Sequence, residues 1–466
     1  MRPALSMKVV DVAIIGAGTA GLSAERVARG AGASTALVDD GFKGTTCATV
    51  GCMPSKLLIA AGAAAHAVRR ASTFGVFATH RIDAAAVMAR VRQERDAFAA
   101  GTRGQIAKLP EGVALRGRAK FIDATTLELE DGDRVHARAV VIATGAHPSI
   151  PDGFSAIHDL ILTNEILFDL ALLPESLAVV GAGPLGLELA QAMARLGVQV
   201  SVFDEKPTLG GVDDAELASC MQDVFKDEFD LHLGVALRAD TRDGRALLRW
   251  AAGEKLFDRV LLAVGRPPNL AKLNLRATGL ELDERGVPRF DCETMQCGKS
   301  AIFIAGDANA DRAVLHEAMV EGSTAGFNAA MFPHATQRRR SVPFSIMFTD
   351  PPLALIGQRS GVCGKTDYRD QGRAKVEARA RGLVKLYASE QGAVLTGAAL
   401  FCPGADHLGH LLAWQINAHA SAERVLGQPF YHPTLEEGLK PALRQICAQT
   451  QVHLPPMEDF GSPAGE

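Results

Sequence analysis

Two glycine-rich segments with the same layout constrain the fold of this chain more than any other feature. The segment Gly16-Ala17-Gly18-Thr19-Ala20-Gly21 follows an apolar run and precedes an alanine-rich stretch, a second apolar run and Asp39. The same order recurs from Gly181-Ala182-Gly183-Pro184-Leu185-Gly186 to Asp204. In both units the acid stands 23 positions after the first glycine, since 39 − 16 and 204 − 181 are equal. The repeat predicts two strand–turn–helix–strand units, each able to bind a dinucleotide.

Each glycine in such a unit has its own physical role. The first makes the tight turn, the second lets a pyrophosphate approach the backbone, and the third lets the helix pack close to the strand. Free N–H groups at the helix N-terminus favour phosphate, and an acid at the end of the second strand can accept hydrogen bonds from a ribose diol. The positions predicted for these roles are Gly16, Gly18, Gly21 and Asp39 in the first unit, and Gly181, Gly183, Gly186 and Asp204 in the second.

Three further apolar runs end in a turn, as strands at the edge of a nucleotide site would. Their ends are Ala143-Thr144-Gly145, Gly265-Arg266-Pro267 and Gly306-Asp307. Asp307 could reach the sugar chain of a bound dinucleotide, and it could also serve as the N-cap of the helical segment that follows.

Composition narrows the class of protein. A chain of 466 residues is long enough for about three domains, and its formal net charge of −4 gives no field suited to nucleic acid. The basic cluster Arg338-Arg339-Arg340 is interpreted as a solvated linker. No apolar run reaches the ~18 residues of a membrane span, and the N-terminus lacks the pattern of a signal peptide. We therefore expect a cytoplasmic protein without membrane contact.

A pair of cysteines follows the first unit in the segment Cys47-Ala48-Thr49-Val50-Gly51-Cys52-Met53-Pro54-Ser55-Lys56. Residues five apart in a regular helix have Cα atoms roughly 8–9 Å apart, whereas a disulfide needs about 6.8 Å or less. Cys47 and Cys52 can therefore pair only if the chain between them is distorted, and Gly51 makes a distortion easy. Pro54 suits the first turn of a following helix, where a nearby cysteine has a lowered pKa. The segment predicts a reactive dithiol.

The other cysteines lack this context. Cys292 and Cys297 have the same four-residue gap but no glycine turn and no Pro-Ser-Lys sequel, so we interpret them as ordinary small residues before a strand. The isolated cysteines, which we interpret as structural, are Cys220, Cys363, Cys402 and Cys447. No Cys/His cluster has the spacing of a zinc site, and we predict no bound metal.

Taken together, the chain resembles the pyridine nucleotide–disulfide oxidoreductases of the dihydrolipoamide dehydrogenase and glutathione reductase type. The resemblance runs nearly end to end and is most specific from Cys47 to Lys56. It includes the segments 143–145, 265–269 and 306–307, and it ends with His432-Pro433-Thr434-Leu435-Glu436-Glu437. Within this family, the chain looks like the short bacterial form of dihydrolipoamide dehydrogenase.

The resemblance implies an α/β fold with two Rossmann-like dinucleotide-binding domains and a C-terminal α+β dimerisation domain. Residues 1–154 would form the first part of an FAD-binding domain and residues 155–272 an NAD-binding domain. Residues 273–340 would complete the FAD site, and residues 341–466 would form the dimerisation domain. FAD is expected in the first unit, because the cysteine pair follows it directly and must contact the flavin. The chain would act as a homodimer whose active sites are shared across the subunits.

The resemblance also implies residue roles near the flavin. Cys52 would lie against the flavin as a thiolate, and Cys47 would face the substrate and carry out thiol–disulfide interchange. Lys56 would lie near the flavin and pair with Glu188 in the helix after the second glycine segment. Further residues expected at the FAD site are Thr46, Thr144, Gly145, Gly306 and Asp307, and Gly265 is expected at the NAD site.

His432 is the expected general acid/base. The resemblance implies that Glu437 orients it and that it reaches Cys47 across the dimer. An imidazole with a near-neutral pKa beside a thiol can shuttle the thiol's proton. Read alone, a His-Pro pair near a C-terminus is more typical of a structural turn, so this role depends on the resemblance.

The expected reaction is dihydrolipoamide plus NAD⁺ to lipoamide plus NADH, with either a small dithiol or a lipoyl domain as substrate. Asp204 and Glu205 suit a free ribose 2′-hydroxyl and would repel a 2′-phosphate, which favours NAD over NADP. Three departures from the usual family pattern leave the substrate open. Two are Thr45 and Thr49, and the third is segment 348–352, which lacks the acid that commonly follows its proline. The alternatives are an NAD(P)H-dependent reductase of another disulfide or of a quinone, and a redox-sensing flavoprotein with low turnover. A mercuric reductase is disfavoured, because the C-terminus has the lone Cys447 in place of a cysteine pair.

Overall fold

The computed structural model describes residues 6–452, so residues 1–5 and 453–466 of the first and last predicted domains lie outside the described residues. Its strands are β1 (Met7–Ile15), β2 (Thr35–Asp39), β3 (Ala114–Arg116), β4 (Ala119–Phe121), β5 (Thr126–Leu129), β6 (Arg134–Ile142), β7 (Ile161–Leu162), β8 (Ser176–Val180), β9 (Gln199–Asp204), β10 (Asp230–Leu233), β11 (Arg238–Arg242), β12 (Arg245–Trp250), β13 (Gly253–Phe257), β14 (Arg259–Leu262), β15 (Ile302–Ile304), β16 (Phe344–Met347), β17 (Leu353–Gly357), β18 (Val362–Asp367), β19 (Leu383–Ala388) and β20 (Leu395–Phe401). Its α-helices are α1 (Thr19–Gly30), α2 (Thr46–Thr49), α3 (Cys52–Arg70), α4 (Ala84–Ile106), α5 (Pro184–Arg195), α6 (Ala215–Phe225), α7 (Leu315–Met331), α8 (Gly372–Val376), α9 (Ala405–Asn417), α10 (Ala422–Leu426) and α11 (Lys440–Gln449).

The first sheet contains the N-terminal glycine unit. Its strand order is β3-β2-β1-β6-β5-β4, and β15 joins it beside β6. Strands β3, β2, β1, β6 and β15 run parallel, whereas β5 and β4 continue the sheet in antiparallel pairs. The chain therefore returns to the first sheet, through β15, after it has built the second.

The second glycine unit lies in a parallel sheet with the order β10-β9-β8-β14-β7, beside an antiparallel sheet β11-β12-β13. The two units have the same register. Ile15 pairs with Val38 in the first unit, and Val180 pairs with Phe203 in the second. Each first glycine directly follows the first strand of its unit, so the equal spacing in the sequence reflects one geometry used twice.

Close backbone contacts explain the first and third glycines of each unit. A Cβ atom on Gly16 would lie 2.4 Å from the Ala143 carbonyl oxygen, and a Cβ on Gly181 would lie 2.4 Å from that of Ala263. A Cβ on Gly21 would lie 1.8 Å from the carbonyl oxygen of Gly16. Only glycine permits these approaches, so the turn, the helix and the neighbouring strand are locked together.

Helix α7 packs on α1 through two glycines. A Cβ on Gly322 would lie 2.2 Å from the Ala20 carbonyl oxygen, and a Cβ on Gly326 would lie 2.3 Å from that of Ala24. A Cβ on Gly306 would lie 2.9 Å from the Cβ of Ala20. The loop after β15 is thereby held beside the first glycine turn.

The C-terminal domain has a five-stranded antiparallel sheet with the order β16-β17-β20-β19-β18. Helices α9 and α11 pack on it and contribute Leu408, Leu412 and Ile446 to a core that also contains the fully buried Tyr368. The architecture confirms the predicted α/β class, with two Rossmann-like domains and a C-terminal α+β domain.

One helical stretch, from Thr46 to Phe74, is long and apolar enough to cross a membrane by length and composition alone. The sequence did not make this stretch obvious, because its mean hydropathy comes largely from alanines and not from a run of large apolar residues. Of its most apolar window, 28% is buried. A Cβ on Gly62, in the middle of α3, would lie 3.0 Å from the Ala192 carbonyl oxygen of α5, so the helix is packed against the second domain.

The interpretation of residues 338–340 as a solvated linker is wrong for Arg340. Its side chain is 9% exposed and lies 2.5 Å from Asp311, 2.9 Å from Glu317 and 2.5 Å from Glu321. Carboxylates from the start of α7 and the loop before it compensate for the burial of the guanidinium. These partners stand at least 19 positions away, so the local sequence gave no sign of them. Arg338 is exposed, as expected.

Candidate active site

The cysteine pair lies at a break between two helices. Cys47 is in α2, and Cys52 is the first residue of α3. Gly51, between them, has φ −120° and ψ −117°, and a Cβ on it would lie 2.9 Å from the Thr46 carbonyl oxygen. The break supplies the distortion that the spacing of the cysteines requires. The two residues are free thiols here, in hydrogen-bond contact with each other.

The two thiols have opposite pKa shifts. The hydrogen bond from Cys47 lowers the pKa of Cys52 to about 6, burial acts against this, and the positive charge of Lys56 adds to the lowering. The same hydrogen bond, together with burial, raises the pKa of Cys47. At neutral pH the single negative charge of the reduced pair therefore resides on Cys52.

Residues from two other domains hold the Lys56 side chain. Its Nζ lies 2.7 Å from Oε2 of Glu188 in α5, and 4.5 Å from the ring centroid of Phe348, which follows β16. The Phe348 N–H donates a hydrogen bond of 2.8 Å to Oε1 of Glu188. The structure thus brings Lys56 and Glu188 together. It adds Phe348, which sequence reasoning missed because nothing in its local sequence points to a distant lysine.

The pair opens onto a cavity of about 640 Å³ at the carboxyl edge of the first sheet. Its wall combines the first glycine turn, the redox segment and the loop after β15. The residues in this wall that the sequence predicted for catalysis or FAD binding are Gly18, Thr46, Cys47, Cys52, Lys56, Gly145, Gly306 and Asp307. The predicted flavin-binding and redox-active residues therefore share one space.

A second cavity, of about 480 Å³, contains the predicted residues Gly16, Asp39 and Thr144. Its wall also includes polar residues that sequence reasoning did not single out, namely Asp40, Arg118, His147, Asn269 and Lys272. The Asn269 side chain donates a hydrogen bond of 2.9 Å to the Thr144 carbonyl oxygen. The sequence feature that could have pointed to Asn269 is its position at the end of segment 265–269.

The two cavities suit an elongated dinucleotide. A Cβ on Gly18 or on Gly183 would meet nothing within 4 Å, so both turns are open where a pyrophosphate would approach the helix N-terminus. Among the described residues the buried Thr144 hydroxyl has no hydrogen-bond partner, and it lies in the wall of the second cavity. The residues of the first unit therefore fit FAD.

The acids at the strand ends hold the glycine turns themselves. Oδ2 of Asp39 accepts a hydrogen bond of 2.9 Å from the Ala17 N–H, and Oδ2 of Asp204 accepts one of 2.6 Å from the Ala182 N–H. The second oxygen of each carboxylate accepts from N–H groups further along the loop. Each acid thus fixes the turn where phosphate would bind. The sequence predicted only that these acids accept hydrogen bonds from a ribose, so this structural role is additional.

Two polar residues connect the second domain to the redox segment. The Asn164 amide donates a hydrogen bond of 2.8 Å to the Val50 carbonyl oxygen and accepts one of 2.9 Å from Arg266. Arg266 follows the predicted NAD-site residue Gly265, whose φ is +123°. Burial raises the pKa of Asp307, and the charge of Arg266 opposes this rise. Sequence reasoning assigned no role to Asn164 or Arg266.

His432 and Glu437 form a dyad in the C-terminal domain. Nδ1 of His432 lies 3.2 Å from both carboxylate oxygens of Glu437, and the Thr434 N–H donates to the same carboxylate at 3.0 Å. The Glu437 side chain is 7% exposed and that of His432 is 57% exposed, so a fixed acid supports an accessible imidazole. The dyad borders a cavity of about 300 Å³ that shares no wall residue with the cavity of Cys47. Within one chain, the structure does not bring His432 to Cys47.

The remaining cysteines lie away from this site. Cys297, Cys402 and Cys447 are buried, and Cys292 is exposed. Burial raises the pKa of Cys297 to about 12 and that of Cys220 to about 11, so both remain thiols at neutral pH. In residues 6–452 no group of three or more His, Cys, Asp or Glu side chains is placed to hold a metal ion.

Two family profiles cover most of the chain. The profile described as pyridine nucleotide-disulphide oxidoreductase matches residues 10–324. The profile of the dimerisation domain of the same group matches residues 344–443.

Curated relatives that match nearly the whole of this chain carry two different names. A mercuric reductase of Shigella flexneri is 33% identical over 473 residues, which cover 96% of this chain and 81% of that protein. Dihydrolipoyl dehydrogenase 2 of Haloarcula marismortui is 30% identical over 469 residues, which cover 93% of this chain and 95% of that protein.

Solved structures share the fold over nearly the full length. LpdA from Mycobacterium tuberculosis has a TM-score of 0.79 at 25% identity and covers 95% of this chain and 100% of its own. The HOCl-induced flavoprotein disulfide reductase RclA from Escherichia coli has a TM-score of 0.80 at 22% identity, with coverages of 93% and 99%. At 22% identity, the similarity to RclA shows a shared fold alone.

Proposed function

Because the chain belongs to the pyridine nucleotide–disulphide oxidoreductase family, we propose that it is a dihydrolipoamide dehydrogenase that reduces NAD⁺. Enzymes of this family are flavoproteins that contain FAD and use a pyridine nucleotide, which confirms the predicted kinds of cofactor. The observation that carries the proposal is the cysteine pair, which lies at a helix break in the wall of the FAD-fitting cavity with the lowered pKa on Cys52.

The residues of the chain suit oxidation of a dithiol. A substrate thiolate attacks the Cys47 sulfur of the oxidised pair, the Cys47–Cys52 bond breaks, and Cys52 leaves as a thiolate. The low pKa of Cys52 makes it a good leaving group. The second thiol of the substrate then attacks the substrate sulfur that is bonded to Cys47. This step closes the cyclic disulfide of the product and frees Cys47. FAD, when bound, relays the two electrons from the pair to the nicotinamide.

His432 supplies the proton transfer in this proposal. Since its cavity is separate from that of Cys47 in one chain, we place the acting imidazole in the other subunit of a homodimer. The dimerisation-domain match supports a homodimer. The buried Glu437 keeps Nδ1 protonated through its hydrogen bonds and leaves Nε2 to exchange a proton with Cys47.

Asp204 and Glu205 support NAD over NADP. Asp204 is fixed at the end of β9 by its hydrogen bond to the Ala182 N–H, and two acids at this edge disfavour a 2′-phosphate. We expect kcat/KM with NADH to exceed that with NADPH. We also propose a cytoplasmic location.

Mercuric reductase is the second candidate, because one relative at 33% identity carries that name. The position of Cys447 weighs against it, since this lone C-terminal cysteine is buried in α11 and does not offer a thiol at the surface. Dihydrolipoamide fits better, because it needs only the Cys47–Cys52 pair and the dyad.

A substrate panel tests the proposal with purified, FAD-loaded protein. Dihydrolipoamide with NAD⁺ is compared with glutathione disulfide, a quinone and Hg²⁺, each with NADH. We expect the highest kcat/KM with dihydrolipoamide. A higher value with any of the other three would reject the proposed substrate and would name the reductase alternative instead. Lack of turnover with all four would favour a redox-sensing role.

A further inference from the structure

Lys56 is held by an aromatic ring as well as by an acid. The ring belongs to Phe348, in segment 348–352, and the family resemblance assigned no role to this residue. The Phe348 centroid lies 4.5 Å from Lys56 Nζ, within the ~6 Å at which the negative face of a ring attracts a cation. Phe348 follows β16 of the C-terminal domain, whereas Lys56 is in α3 of the first domain. The ammonium therefore lies where the first and last domains meet.

The backbone of Phe348 fixes the acid that pairs with this lysine. Its N–H donates to Oε1 of Glu188, and Lys56 bonds to Oε2, at 2.8 and 2.7 Å. With each oxygen bound to a different partner, the carboxylate cannot rotate. The Lys56 side chain is 33% exposed and has a flexible four-carbon stem, so the salt bridge alone leaves it free to swing toward the cavity. The ring of Phe348 contacts the ammonium in the wall of that cavity and favours its present position.

The ring is not an ordinary core residue. Phe348 is 36% exposed and lines the same cavity as Cys52 and Lys56. More than a third of its surface stays exposed, whereas the phenylalanines of the core, such as Phe121 and Phe401, are fully buried. Its position is better explained by the cation that it contacts.

We propose that Phe348 is a positioning residue, whose ring holds the Lys56 ammonium beside the Cys47–Cys52 pair while its N–H orients Glu188. This inference deepens the proposed function, since it concerns the same redox pair. The charge of Lys56 is one cause of the lowered pKa of Cys52. A lysine that is no longer held by the ring spends less time near the sulfur, so the thiolate of Cys52 should form at a higher pH.

The experiment compares Phe348→Leu, which keeps the N–H and most of the bulk, with Phe348→Tyr, which keeps the ring. The control is Phe344→Leu, because Phe344 lines the same cavity but stacks edge-on against His410 and not over Lys56. Each FAD-loaded protein is reduced by two electrons. The pH midpoint of the long-wavelength absorbance between the Cys52 thiolate and FAD is then measured.

We expect the midpoint to rise by about half a pH unit in Phe348→Leu, as a cation–π contact of ordinary strength implies. It should stay unchanged in Phe348→Tyr and in Phe344→Leu. An unchanged midpoint in Phe348→Leu, or an equal rise in Phe344→Leu, would overturn the inference. These results are distinct from the substrate panel. A protein that shows the expected shifts but does not oxidise dihydrolipoamide refutes the proposed substrate and leaves the role of Phe348 standing.

Discussion

At the residue scale, the site depends on how one negative charge is divided between two sulfur atoms. The thiol of Cys47 donates to Cys52, which lowers the pKa of Cys52 to about 6. The cysteine with the lower pKa is the better leaving group, and the cysteine with the higher pKa is the better nucleophile once it is deprotonated. The pKa order therefore agrees with an interchange role for Cys47 and a flavin-facing role for Cys52.

Replacing Cys47 with Ser separates these two roles. Cys47→Ser cannot form the disulfide that the substrate thiolate attacks, so we expect dihydrolipoamide turnover to fall by more than about 10²-fold, as for loss of a covalent intermediate. NADH should still reduce the flavin, because that half-reaction does not need Cys47. Steady-state turnover and anaerobic stopped-flow reduction by NADH measure the two halves separately. Full lipoamide activity in the variant would contradict the assignment.

His432 offers a second test at this scale. In His432→Gln the side chain can still hydrogen bond to Glu437 but cannot carry a proton. We expect turnover to fall by about 10²–10⁴-fold, the usual contribution of a general acid/base, with FAD content unchanged. His407→Gln is the matched control, because His407 is an exposed histidine of the same domain with a 3.6 Å contact to Asp406. Equal turnover in the two variants would reject the acid/base role.

At the element scale, the break between α2 and α3 decides whether the cysteines can pair. A Cβ on Gly51 would lie 2.9 Å from the Thr46 carbonyl oxygen. Gly51→Ala should therefore destabilise the protein by about 1–3 kcal/mol, as overpacking does, and should slow disulfide formation by moving the sulfurs apart. Gly30→Ala is the control, since a Cβ there meets nothing within 4 Å. Thermal unfolding and thiol titration after oxidation give the two readouts.

The ion cluster around Arg340 ties helix α7 to the chain that leads into β16. Arg340→Gln leaves the buried Glu321 without its cation, whereas Glu317 keeps its ion pair with Arg312. We expect a loss of about 3–5 kcal/mol. The pKa of Glu321 is already raised to about 7, chiefly by burial. An acid whose folded pKa exceeds its unfolded value costs stability as pH rises through that interval, so the loss should be larger at pH 8 than at pH 5.

Urea unfolding at both pH values measures this effect. Arg338→Gln, at an exposed neighbour in the same cluster, should change stability by less than about 0.5 kcal/mol. Equal losses in the two variants would mean that the ion pairs of Arg340 contribute nothing. Oε2 of Glu321 also accepts a hydrogen bond from the N–H of Gly306, which is predicted at the FAD site. We therefore expect FAD affinity to fall in Arg340→Gln and to stay unchanged in Arg338→Gln.

The sequence predicted features that are encoded locally and missed those that depend on distant contacts. The glycine units, Gly51 and the helix after Pro54 are short-range patterns, because they are recognised from residues that stand close together in the sequence. Phe348 and Arg340 carry no local signal. Their partners lie far along the chain, and only the packed domains show that a phenylalanine covers a lysine or that an arginine is buried among acids. The alanine run of α3 shows the same limit, since composition alone does not show that this helix packs on α5.

At the scale of the whole molecule, the three domains meet at the redox segment. Asn164 of the second domain holds the Val50 carbonyl oxygen, and Glu188 and Phe348 hold Lys56 from the second and third domains. The His432–Glu437 dyad, to which we assign the proton transfer, is the part that one chain does not bring to this point. Under this proposal the site is complete only when a second copy supplies His432.

Subunit complementation tests that arrangement directly. Co-expression of differently tagged Cys47→Ser and His432→Gln chains gives mixed dimers, in which one of the two sites combines an intact Cys47 with an intact His432. With random two-fold pairing, about half of the dimers are mixed and about a quarter of all sites are intact. We therefore expect about a quarter of wild-type turnover, and about half after tandem purification of the mixed dimer. Each variant expressed alone serves as the control. Mixed dimers with no more activity than these controls would show that the dyad does not act across the interface, because both kinds of intact residue would be present in one molecule without forming a working site.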